Sequence, residues 1–120
     1  MEEYKVTLRR FALRDDRYIE ALLSEQRASP VLSGLDERAH ALVRIATLIA
    51  MDAAPPSYMS AVSAGLDAGL TMEEVVGTLI AVMPIVGVAR VVSAAPNLGL
   101  ALGYDVFEAF EALSPEDAPR

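Results

Sequence analysis

With 120 residues, 53% of them hydrophobic but only 6% aromatic, the chain is long enough for one domain with a real core and too short for two. It contains no cysteine, which excludes disulfides, thiolate metal sites and thiol redox chemistry. A formal charge of −7 opposes nucleic-acid binding, because clustered Lys and Arg are needed to displace counterions from phosphate, and the Arg9–Arg10 pair is too small a patch to reverse it.

The opening MEEYKVTLRR is acidic and lacks an apolar core segment, so it does not read as a secretory signal, and a cytoplasmic location is expected. Tyr4, Val6 and Leu8 alternate with Lys5, Thr7 and Arg9, which predicts an extended N-terminal arm over residues 1–14, packed on the body or on a neighbouring subunit. A single helical domain is expected over 15–113. Asp15 or Asp16 caps its first helix, whose apolar stripe is Tyr18, Ile19, Leu22 and Leu23. ASPVLSG, residues 28–34, then breaks the pattern as a loop.

From Leu35 to about Met51, the residues Leu35, Leu42, Ile45, Ala46 and Ile49 recur at helical spacing, with Asp36, Glu37, His40, Arg44 and Thr47 opposite. DAAPPSYM reads as a turn and a new helix start, since proline is favoured where its missing N–H costs nothing. Tyr58, Met59, Val62 and Leu66 form the stripe of that helix, opposite Ser60, Ser63 and Asp67. Gly69 can end it in a left-handed conformation, and Thr71 with Glu74 matches the capping box that opens the next. A helix to Pro84, another from about Gly87 toward Leu102 with a break near Pro96, and a short last helix in YDVFEAFEAL complete the body. Residues 114–120 read as a flexible tail. The fold class is all-α, a compact helical bundle.

Arg90 is the lone charge in the apolar run from Val75 to Tyr104. That charge, with Pro84, Gly87, Pro96, Gly99 and Gly103, argues against a membrane span and for a buried core or subunit interface. On a helix, Arg90, Ser93 and Asn97 share one narrow side. They can clamp a carboxylate, because the guanidinium fork matches two oxygens; equally, Arg90 can pair with an acidic residue or cap carbonyls. His40, the only histidine, and Arg44 one turn later are a candidate acid/base and anion pair, or part of an ordinary solvated face. Tyr58 is a candidate donor to a ligand oxygen, or a core aromatic with a satisfied hydroxyl. Asp52, beside the turn, is a candidate partner for an arginine. No metal site or cofactor is expected, since one histidine without cysteine offers too few ligands.

LDERAHALVRIATLIA, the proline-bearing turn and SAGLDAGLTMEEVVGTLIAVMPIVGVARVVSAA together resemble the carboxymuconolactone decarboxylase family, which includes the alkylhydroperoxidase D-like proteins. The resemblance covers about Leu35 to Leu102. It implies an all-helical fold of the alkylhydroperoxidase D-like type, assembled as a homo-oligomer, a trimer or hexamer, with sites at subunit contacts. The peroxidase branch carries a C-x-x-C pair, a histidine and a glutamate. Counting back from Gly69, these fall at Ala54 and Ser57, at Ala61, and near Ala41 or Leu42, so cysteine-dependent peroxidase chemistry is excluded. Of the decarboxylase branch's Tyr-x-Gly-x-Pro segment, only Gly87 remains in IVGVA. The function expected is binding or decarboxylation of a small organic acid or lactone without redox chemistry, held by Arg90, Ser93 and Asn97 with Tyr58, His40 and Arg44. A catalytically inactive oligomeric scaffold or partner-binding module of the same fold is the alternative.

Overall fold

A computed structural model describes residues 2–25 and 29–112, and all regular structure among them is helical. They belong to two units, Met1–Asp36 and Glu37–Arg120.

The first unit holds α1 (Glu3–Ala12), α2 (Asp16–Ser24) and α3 (Ser29–Ser33). The stretch expected to be extended is therefore a helix. Tyr4 and Leu8 fit a strand alternation, but with Phe11 they also recur at i, i+4 and i+7. Without a partner strand, the helical period wins because a helix satisfies its own backbone groups. Asp15 caps α2 by accepting the Tyr18 N–H at 3.2 Å, as its position predicts. Phe11 meets Tyr18 edge-on, with ring centroids 5.3 Å apart, and the Arg10 guanidinium lies 4.9 Å from the centre of the same ring. No described residue of this unit is buried. The expected loop at 28–34 contains the single turn of α3; Ala28 and the tail at 114–120 lie outside the described residues.

The second unit contains α4 (Glu37–Met51), α5 (Pro55–Asp67), α6 (Met72–Val86), α7 (Val88–Ala101) and α8 (Val106–Glu111). Its core is Ala41, Ile45 and Ile49 of α4, one turn apart along a single stripe, closed by Tyr58, Ala61 and Val62, Leu70, Val75, Ala94 and Leu98. α4 packs against α5, α6 and α7, so it is the element on which the bundle is assembled.

Local chemistry sets the turns. Gly69, at φ 95°, takes the left-handed conformation after α5. The capping box at α6 has both of its bonds: Thr71 Oγ1 accepts from the Glu74 N–H at 3.0 Å, and Glu74 accepts from the Thr71 N–H at 3.0 Å. Arg38 on α4 then donates to the Gly69 carbonyl and to the Glu74 carboxylate, fastening this turn to α4.

Two boundaries differ from expectation. α6 runs two residues past Pro84, and α7 passes through Pro96. Each proline leaves a carbonyl four residues back without its helical donor. Those carbonyls belong to Ile80 and Val92, both on exposed positions, where water can satisfy them.

Candidate functional site

The α4–α5 turn begins where Asp52 leaves α4 at φ 52°, a left-handed conformation more often taken by glycine or asparagine. The Asp52 N–H donates to the Ile49 carbonyl at 3.3 Å and the Ala53 N–H to the Leu48 carbonyl at 3.1 Å, the paired bonds of a Schellman ending. A carboxylate here opposes the negative end of the helix dipole. It is instead engaged by α7: the Ser93 hydroxyl donates to Asp52 Oδ1 at 2.6 Å.

Pro55 and Pro56 occupy the first turn of α5, after Ala54 as N-cap. Tyr58 follows and is fully buried; its hydroxyl donates to the Leu48 carbonyl at 3.1 Å. Burial first, and the negative charge of Asp52 second, hold its phenol above the ordinary value of 10.0. The hydroxyl thus serves the turn.

Beyond this turn, an open cleft of about 540 Å³ lies between α4 and α5, with Arg44, Ser57 and Ser60 exposed along it. From α4 come Val43, Arg44, Thr47 and Leu48; from α5 come Pro56, Ser57, Ser60 and Ala61. Ser57, Ser60 and Ala61 share a face because they are spaced at i, i+3 and i+4. Thr47 spends its hydroxyl proton on the Val43 carbonyl at 2.8 Å. The side chains of Arg44, Ser57 and Ser60 make no hydrogen bond or ion pair among the described residues. One guanidinium and two hydroxyls whose donors are unused among the described residues therefore share a cleft whose other lining residues are Thr47 and four aliphatic side chains.

The residues singled out in the sequence separate. Arg44 lines the cleft. His40 is half-buried one turn earlier on α4. Arg90 is exposed on α7 and pairs with no acid among the described residues, while Ser93 is taken by Asp52 and Asn97 is half-buried. None of those three α7 residues lines the α4–α5 cleft. Ser57 and Ser60 were not expected as site residues, since serines at this spacing on an amphipathic helix carry no distinguishing signal.

Among the described residues, no group of three or more His, Asp or Glu is placed to hold a metal, and no helix is long and apolar enough to cross a membrane. Compared with family models, with curated proteins and with solved structures, the chain matches none.

Proposed function

We propose that the chain binds a small organic carboxylate in the α4–α5 cleft, as a divergent, non-redox, homo-oligomeric protein of the carboxymuconolactone decarboxylase-like type. The observation that carries this reading is Arg44, without an ion pair among the described residues, beside the Ser57 and Ser60 hydroxyls, which likewise make no hydrogen bond among them. A guanidinium offers two parallel donors to a carboxylate, and the hydroxyls supply further donors on the facing helix. Val43, Leu48, Pro56 and Ala61 would take the hydrocarbon part of the ligand. The resemblance supports the same place, since it sets its reactive residues at Ser57 and Ala61.

Decarboxylation, which the resemblance implies, needs a proton donor for the carbon that loses carbon dioxide. The lining contains no histidine, carboxylate or lysine, and alanine stands at the histidine position that the resemblance implies. Binding without turnover is the reading the lining favours, and an oligomeric scaffold that senses an acid fits it equally.

The test is a thermal-shift series with succinate, benzoate and a carboxylated γ-lactone on wild type, Arg44→Met and Arg90→Met. A ligand at about a hundred times its dissociation constant adds about 2.7 kcal/mol to folded-state stability. Wild type and Arg90→Met should be stabilised alike, and Arg44→Met should not. Undiminished stabilisation of Arg44→Met would overturn the assignment of the cleft.

A further inference from the structure

Thr47 lines the α4 wall of the cleft, and its hydroxyl proton is committed to the Val43 carbonyl at 2.8 Å. Its Oγ1 accepts no hydrogen bond among the described residues. A hydroxyl held in this way offers a ligand lone pairs and no proton. The Ser57 and Ser60 hydroxyls, which make no hydrogen bond among the described residues, can turn to donate or to accept, so they discriminate little. Thr47 follows Arg44 by three residues, and on a helix such residues are neighbours, with about 5–6 Å between their Cβ atoms. A fixed acceptor therefore stands beside the guanidinium, where it can meet only a group close to a bound carboxylate.

The anion site itself suits a single negative charge. Among the described residues that line the cleft, Arg44 is the only cation. The first three residues of α5 add no free backbone donor, since Pro55 and Pro56 have no N–H and the Ser57 N–H donates to the Ala54 carbonyl at 3.1 Å.

We propose that the ligand is a 2-hydroxy monocarboxylic acid, its carboxylate on Arg44 and its hydroxyl donating to Thr47 Oγ1. This rests on the carboxylate reading of the cleft given above and adds the substituent that the site selects. A 2-oxo acid sets a carbonyl oxygen against Oγ1, acceptor against acceptor. A 2-amino acid can donate there, but it brings an ammonium beside the guanidinium.

Amide-shift titrations by NMR test this with each enantiomer of 2-hydroxyisovalerate, with isovalerate and with 2-oxoisovalerate, on wild type, Thr47→Val, Thr47→Ser and Arg44→Met. Thr47 is exposed and valine matches its shape, and circular dichroism verifies that each variant is folded. Wild type should bind one enantiomer of the hydroxy acid about fivefold more tightly than isovalerate, the size of one net hydrogen bond, and the oxo acid no more tightly. Thr47→Val should bind the hydroxy acid and isovalerate alike, and Thr47→Ser should restore the preference. If wild type binds all of these acids equally and Arg44→Met binds none, the hydroxyl subsite is overturned and the carboxylate reading stands. A preference for the hydroxy acid that persists in Thr47→Val would overturn the role of Thr47. Failure of every acid to bind wild type would overturn both readings.

Discussion

Tyr58 joins two elements through one oxygen, because its hydroxyl reaches the Leu48 carbonyl that also accepts the Ala53 N–H. Replacing it by phenylalanine leaves the ring in the core and removes one hydrogen bond, so a loss of about 1 kcal/mol is expected in urea unfolding. The phenol also gives a pH signature. Its folded value is raised, so its contribution is fully present below the ordinary value of 10.0 and is lost as pH rises through the folded value. Stability of wild type should therefore fall more steeply above pH 10.0 than that of Tyr58→Phe, measured as Tm against pH. The burial of Tyr58 was legible from its place on an apolar stripe. Its acceptor was not, because a backbone carbonyl carries no residue type to read. Ser93 is similar: its side of α7 follows from helical period, but its partner Asp52 lies 41 residues away in sequence and is set by packing.

Elements were most legible where a terminus is decided within one turn. Asp15, Gly69, Thr71 and Glu74 each act on backbone atoms no more than four residues away, and each does in the fold what its position implies. The misread elements are those decided by surroundings: α1 by the lack of a partner strand, α6 and α7 by solvent reaching the carbonyls that their prolines release. Glu74 extends a local device into a tertiary one. The Thr71 N–H holds its carboxyl below the ordinary value of 4.5; burial opposes this, and the Arg38 guanidinium adds to the lowering. With the folded value depressed, the stabilisation is present above the ordinary value and lost as pH falls through the folded one. Glu74→Gln should lower Tm at neutral pH and flatten its decline between about pH 5 and 3, a window set by ordinary carboxylate titration.

At the scale of the whole molecule, acidity and apolarity are separated along the chain. The charges lie mainly before Val75 and after Tyr104, and the segment between them carries only Arg90. The sequence shows that segregation plainly, which is why an all-helical body with an association surface is expected from it. The cleft is less legible, since it arises where Ser57 and Ser60 on one helix come to face Arg44 on another, and no spacing within one segment encodes that meeting. Arg90 was the conspicuous cation in the sequence because its neighbours in the chain are apolar. In space it is exposed, so the contrast was one of sequence order and not of environment.

Val43 lines both the α4–α5 cleft and the α4–α6 groove. One side chain thus forms part of the wall of two hollows, so no substitution of Val43 reshapes the α4–α5 cleft and leaves the α4–α6 groove untouched.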